Sequence, residues 1–267
     1  MAKMSDVKFD HLFALFKGEP GTRKSSAAAS FPTPQYWFST DQKMNAMMLP
    51  MKAYGTDMTQ VDYDDYTDWN GPLRKLNELR VKCPYKTIIF DSITSVADAI
   101  NRQTIQMKSG TTTKGGMEKG NRIGGIPVNT MEDYKAEASA FQELIAACKD
   151  IHLFHGVNIV LIAHVIGERT TDSTSTHFAR IIVTGGKIIS AKIPAYCGEV
   201  YHFNVENNID VSKPGEYGLF TTHTGSDFAR TGLNLPSKIV FNDRPLYDTY
   251  LAPAMKAMGE MKGITKL

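Results

Sequence analysis

Lys24 and Ser25 close a short turn, Gly18-Glu19-Pro20-Gly21-Thr22-Arg23-Lys24-Ser25. An apolar run at 12–16 precedes it, and small residues follow from Ser26 to Ser30. Strand, loop, helix is the layout in which main-chain N–H groups converge on a polyphosphate, with the positive end of a helix dipole behind them. Lys24 would then reach the β- and γ-phosphates of a nucleoside triphosphate, and Ser25 would set its hydroxyl on Mg²⁺. The whole stretch Gly18, Glu19, Pro20, Gly21, Thr22, Arg23, Lys24, Ser25 and Ser26 is the candidate cradle. One position departs from the usual spacing G-x-x-x-x-G-K-[ST], because Arg23 stands where the second glycine is expected. Glycine permits unusual backbone angles and close approach to a ligand. Arg23 must take the same turn with a Cβ, and its guanidinium is free to serve a phosphate or a neighbouring subunit. The competing reading is a Gly-Pro-Gly turn with no ligand.

Other carboxylates and imidazoles stand where such a site needs them. Tyr85 to Phe90 is an apolar strand candidate ending in Asp91-Ser92. A carboxylate at the C-terminal edge of a parallel strand beside a phosphate loop can hold the hydration shell of Mg²⁺. Tyr36-Trp37-Phe38-Ser39-Thr40 leads to Asp41, a candidate to polarise attacking water, although a turn cap is an equal alternative. Asn158 to Ala163 leads to His164, which would sit at the same edge as a phosphate sensor or as a satisfied strand-end histidine. Arg230 precedes Leu235-Pro236 and is a candidate to complete a neighbouring subunit's site, or an ordinary surface arginine. His152 and His155 have no third ligand in sight and read as structural.

The elements that must position these groups alternate between strand-like and helix-like stretches. Strands are expected at 12–16, 36–39, 59–63, 87–90, 158–163, 181–183, 200–205, 217–222 and 238–241. Helices are expected at 71–81, 92–107 and 131–150, the last with a core stripe at Tyr134, Ala138, Phe141, Ile145 and Cys148. The pattern predicts an α/β fold, a mostly parallel twisted sheet flanked by helices, with antiparallel strands added in the C-terminal half. The 267 residues, 42% hydrophobic and 22% charged, suit one sizeable globular unit. We expect one domain at 1–245 and a last helix and tail at 246–267. Three isolated cysteines argue against a zinc module or a disulfide framework and for a reducing cytosol, hence a cytoplasmic protein. No apolar run reaches membrane-spanning length, so no membrane partner is expected.

Two segments stand apart. The stretch 108–130 holds six glycines, and between Asn101 and Met131 five basic residues (Arg102, Lys108, Lys114, Lys119, Arg122) face one acidic residue, Glu118. A mobile basic loop suits a phosphate backbone, and a solvated insertion is its plain alternative. The stretch 166–180, rich in Ser and Thr, reads as a second loop, with Arg169 and Arg180 as its basic groups. The net charge of +2 leaves nucleic-acid contact to local patches.

In order, GEPGTRKS, IIFDS, a Gly-rich basic loop, and VLIAH with a polar loop and TGGK resemble the RecA-like recombinase core. The order looks closest to small phage-encoded RecA-like ATPases associated with single-strand annealing and recombination. The resemblance covers 9–203. It implies ATP and Mg²⁺ as cofactors, with Asp91 as the metal carboxylate beside Ser25, His164 as the sensor and Asp41 as the water-activating group. It also implies two loops contacting single-stranded DNA, matching 108–130 and 166–180. A homo-oligomeric ring or filament, host cytoplasm and DNA-stimulated ATP hydrolysis follow from it. Arg23 and Asp41, where the family often has Gly and Glu, bear on hydrolysis more than on nucleotide binding. The other functions open are a nucleotide-binding annealing or scaffold protein with little turnover and, third, a small-molecule kinase.

Overall fold

The computed structural model describes residues 10–110, 122–123, 126–127, 131–171, 176–184, 187–206 and 214–261. In chain order the elements are β1 (Phe13–Gly18), α1 (Lys24–Ala29), β2 (Gln35–Ser39), α2 (Met48–Tyr54), β3 (Val61–Asp65), α3 (Asn70–Val81), β4 (Thr87–Asp91), α4 (Ile93–Gly110), β5 (Arg122–Ile123), β6 (Ile126–Pro127) and α5 (Met131–His155). Then follow β7 (Asn158–Thr171), β8 (Thr176–Ile182), α6 (Lys187–Tyr196), β9 (Glu199–Glu206), β10 (Glu216–Phe220), β11 (Lys238–Val240), a π-helical turn (Tyr247–Leu251) and α7 (Ala252–Met261).

Nine strands form one sheet in the order β11-β10-β9-β1-β7-β4-β2-β3, with β8 paired to the outer part of β7. The six strands from β9 to β3 are parallel, and β10 and β11 add antiparallel neighbours. This is the sheet that the alternation of elements predicts. The inner strands are apolar without interruption because helices cover both faces. Alternate side chains go to opposite faces. Phe13, Leu15, Phe38, Phe90 and Leu161 meet helices α3 to α6 on one face. Phe16, Trp37, Ile89, Ile162 and Tyr201 meet α1, α2 and the C-terminal turn on the other. Ala27, Ala28 and Ala29 are fully buried, and such small side chains let α1 lie close to the sheet. Leu246 and Leu251 are buried in the same cluster, and Tyr247 N–H donates to Ser30 Oγ at 2.9 Å.

The edges of the sheet differ from its middle. In β3, Val-Asp-Tyr-Asp-Asp, the last four residues are exposed, and its carboxylates accept from Tyr36, Ser39 and Tyr85 across the neighbouring strands. Charge on an outer strand discourages pairing with another sheet.

Three sequence expectations need correction. The stretch 166–180 is not an irregular loop. Its described residues form an antiparallel hairpin that runs in register from Val165↔Ile182 to Thr171↔Thr176. Thr170, Thr171 and Thr176 suit strands but are polar, so in the sequence this stretch looks like a linker. The segment after Gly186, where no helix is expected, forms helix α6, and Pro194 within it hid the helical pattern. Helix α5 continues to His155, five residues past the expected end. Its stripe is buried at Phe141, Ile145 and Cys148, while Tyr134 and Ala138 are only half-buried. Most of the expected loop at 108–130 lies outside the described residues.

Phe90 stacks on Phe38 with ring centroids 4.2 Å apart and planes 3° from parallel, both wholly buried. Phe90→Ala is expected to lower the free energy of urea unfolding by about 3–5 kcal/mol. A loss below about 1 kcal/mol would mean that the core collapses around the gap far more readily than its packing implies.

Candidate nucleotide site

The loop after β1 is shaped by its neighbours. Gly18 lies between His164 of β7 and Phe203 of β9 in the parallel register. A Cβ on Gly18 would fall 2.5 Å from the Phe203 carbonyl oxygen, so no larger residue fits there. Gly21 has φ +80, which glycine adopts freely. Arg23 also takes the left-handed conformation, φ 62 and ψ 26, which for a residue with a Cβ costs roughly 1–2 kcal/mol. The departure from the motif therefore leaves the turn in a glycine-like conformation. What holds it is the Arg23 guanidinium, which lies 3.8 Å over the Tyr217 ring centroid and donates to Asn242 O at 2.8 Å and to the Asp243 carboxylate.

Lys24, only 4% exposed, is the first residue of α1. Its ammonium donates to Gly18 O at 2.8 Å, Glu19 O at 2.7 Å and Thr22 Oγ1 at 3.3 Å. Burial lowers its pKa to about 8, and the charges of Asp91, Asp41 and Glu19 only partly offset this.

Two carboxylates face this ammonium because two strand ends are laced together. Strands β2 and β4 are neighbours, with Ser39 opposite Asp91. Just beyond β2, the N–H groups of Thr40 and Asp41 both donate to Asp91 O, at 2.9 and 3.2 Å, and Thr40 Oγ1 donates to Ser92 O at 2.8 Å. Ser25 hydrogen-bonds the Asp91 side chain. Burial pushes the Asp91 carboxyl up, the Ser25 bond pulls it back, and the Asp41 charge adds to the rise. Asp41 behaves in the opposite way. Burial raises it, but His164 and the Ser95 hydroxyl bring it down to about 2. Ser95 and Ser92 both donate to Asp41 Oδ1, the latter at 3.2 Å. His164 Nε2 stands 3.6 Å from Asp41 Oδ2, too far for a hydrogen bond. The buried His164 Nδ1 has no partner among the described residues.

The structure thus brings Lys24, Ser25, Asp91, Asp41 and His164 to one end of the sheet. The pair Ser25 and Asp91 offers two oxygens to a cation, beside a second carboxylate that adds negative charge. Such a donor set fits Mg²⁺, which takes its remaining ligands from water and phosphate rather than from a protein cage. No cluster of three or more His, Cys, Asp or Glu able to hold a metal exists among the described residues. His152 and His155 bond the carbonyl oxygens of Val157 and Arg80, each at 2.9 Å.

Other expected residues lie elsewhere. Arg230 pairs with Val200 at the start of β9, and its guanidinium donates to Pro194 O at 3.3 Å, Ala195 O at 3.4 Å and Cys197 O. It caps the C-terminal carbonyls of α6, away from the phosphate loop of its own chain. Arg180 bonds Asp227 Oδ2 at 2.8 Å and lies 3.4 Å from Glu19, so it joins the phosphate loop to the hairpin instead of standing in an open basic surface. Lys114 and Lys119 lie outside the described residues, as do the side chains of Lys108, Arg122 and Arg169.

Sequence reading missed a buried polar group on the other side of the loop. Lys17 and His202 sit opposite each other on β1 and β9, both 2% exposed. His202 Nε2 is 3.4 Å from Asp227 Oδ1. Burial lowers Lys17 to about 8 and His202 to about 4. The available signal was a lysine near the end of the apolar run FALFKG and a histidine flanked by aromatic residues in EVYHFNV.

The parallel sheet, the glycine-shaped loop with its buried lysine and the facing carboxylates define a P-loop nucleotide-binding domain of the ATPase class. The chain belongs to the AAA domain family, whose sequence pattern matches residues 13–232. No curated protein matches it. Among solved structures, the KaiC-like protein of the hyperthermophilic archaeon Pyrococcus horikoshii OT3 is similar, with 12% identity, 86% of this chain and 89% of that chain covered, and a TM-score of 0.46. No helix among the described residues is long and apolar enough to cross a membrane.

The depressed Asp41 pKa gives a direct check. His164→Asn removes the imidazole, so the Asp41 carboxyl is expected to titrate above about 2 when followed by carbon NMR. In the wild type, the stability contributed by Asp41 is present above the ordinary carboxylate pKa of about 3.9 and is lost as pH falls through about 2. An unchanged Asp41 titration in the variant would remove His164 from the site's electrostatics.

Proposed function

We propose that this chain binds ATP with Mg²⁺ between β1 and α1 and hydrolyses it in support of single-stranded DNA binding, annealing or recombination, as in the phage-type RecA-like ATPases that its motifs resemble. The observation that carries the nucleotide part is the convergence of Lys24, Ser25, Asp91, Asp41 and His164 at one sheet edge.

Each residue has a distinct task. Loop amides from Gly21 to Ser25 cradle the phosphates, and the Lys24 ammonium exchanges its carbonyl partners for β- and γ-oxygens. Ser25 and Asp91 would hold Mg²⁺, which neutralises charge on the transferring phosphoryl group when bound. Asp41 orients the attacking water. With a pKa of about 2 it accepts a hydrogen bond well but holds a proton poorly at neutral pH. His164, with its free Nδ1, is placed to sense the γ-phosphate and pass its presence to the hairpin that continues from β7.

The DNA part rests on the loop compositions and on the Glu19–Arg180 contact, which links the phosphate loop to the hairpin. Head-to-tail contacts between copies would give a ring or filament, with DNA held through its backbone at 108–130 and at the hairpin. Arg230 is left out of the mechanism, because its guanidinium is committed to α6. One observation favours a second reading, a nucleotide-binding annealing protein with slow turnover. Both serine hydroxyls on Asp41 Oδ1 compete with water for that oxygen.

Phosphate release by the wild type and Lys24→Ala, each titrated with single-stranded DNA, tests the proposal. The wild type should be stimulated and the variant nearly inactive. DNA-independent turnover that survives the substitution would overturn the site, and tight ATP binding without release would favour the second reading. Calorimetry against pH adds an independent check. Lys24 must be charged to hold phosphate, so affinity for Mg-ATP should be level below about pH 8 and fall by up to about tenfold per pH unit above it. A level profile to about pH 10 would set Lys24 aside.

A further inference from the structure

We propose that the Arg23 side chain is a positioning group, a clamp that ties the nucleotide loop to β10 and the turn after β11 and makes them part of nucleotide binding without the guanidinium touching the ligand. The inference rests on the nucleotide-binding reading above and goes beyond it, because it assigns a task to a part of the chain that carries no phosphate-binding residue.

The argument starts from the backbone. Arg23 is left-handed where the motif would have glycine, and its carbonyl accepts the first helical bond of α1, from Ala27 N–H at 2.9 Å. The Arg23 backbone therefore sets where the N–H groups of Lys24 and Ser25 point. A side chain other than glycine resists this conformation, so something must hold it. Three groups of β10 and the turn after β11 do so: the Tyr217 ring beneath the guanidinium, the Asn242 carbonyl and the Asp243 carboxylate.

Those three groups are themselves fixed as a unit. Tyr217 N–H donates to Asn242 Oδ1 at 2.8 Å, and Phe241 and Asn242 N–H groups donate to Tyr217 O at 3.0 and 3.2 Å. Asn242 is also left-handed, φ 43, which turns its carbonyl toward the arginine. Asp243 is 88% exposed, so its charge adds little on its own. The ring and the carbonyl carry most of the hold, and a planar, multiply donating guanidinium can lie over the one while it donates to the other. Lysine would supply charge without the fork.

The test measures binding of Mg²⁺ with a non-hydrolysable ATP analogue by calorimetry, with folding followed by thermal unfolding of each variant. Arg23→Ala keeps the unfavourable backbone and loses the clamp, so affinity should fall about tenfold, a change of about 1.4 kcal/mol. Arg23→Gly removes the conformational penalty and should recover most of that loss. Tyr217→Ala, remote from the phosphates, should weaken binding about threefold to tenfold with Arg23 present, and add nothing in the Arg23→Gly background. Tyr217→Phe keeps the ring and should bind like the wild type. If Arg23→Gly binds as weakly as Arg23→Ala, the guanidinium contacts the ligand and the clamp is wrong. If Tyr217→Ala and Arg23→Ala bind normally while Lys24→Ala does not bind, the nucleotide site stands and the clamp falls. If the wild type does not bind the analogue, the nucleotide reading itself fails and the clamp with it.

Discussion

A buried ammonium group has to be surrounded by acceptors or lose its charge, and at Lys24 that requirement organises the end of the sheet. Loop carbonyls take its protons, and Asp91, Asp41 and Glu19 supply opposing charge. The loop folds back on itself to present those carbonyls, with Gly21 at a positive φ, while the Phe203 carbonyl of β9 leaves Gly18 no room for a Cβ. The carboxylates come from two strands that share Asp91's carbonyl as an acceptor. Ser92 and Ser95, at the start of the helix after β4, then fix the direction in which Asp41 points.

Much of this was readable in the chain itself. Strands β1, β2, β4 and β7 are apolar runs that end in Gly18, Ser39, Asp91 and, within the run of β7, Ala163-His164. A parallel sheet puts the C-terminal ends of such strands together without further information. Two kinds of feature stayed hidden. Elements whose local signals conflict escaped notice, as with the helix that contains Pro194 and the hairpin at the end of β7. Side-chain destinations set by distant residues were also out of reach. Arg23 meets a carbonyl 219 positions away, and nothing local to the loop shows which way its guanidinium turns. Arg230 illustrates the same limit, because a cap on a missed helix cannot be foreseen.

The loop is flanked by two polar groups of different character. On the Asp41 side, a low-pKa carboxylate faces an imidazole with a free nitrogen. On the other side, Lys17, His202 and Asp227 are enclosed, with Arg180 connecting them to Glu19. The contacts of Arg180 with Glu19 and Asp227 thus join the phosphate loop, the hairpin and this enclosed group.

The acidic outer strand bears on how copies of this molecule can associate. With carboxylates of Asp62, Asp64 and Asp65 along β3, two sheets cannot zip into a continuous ribbon through that margin without bringing like charges together. Copies of this chain are therefore steered away from pairing through β3.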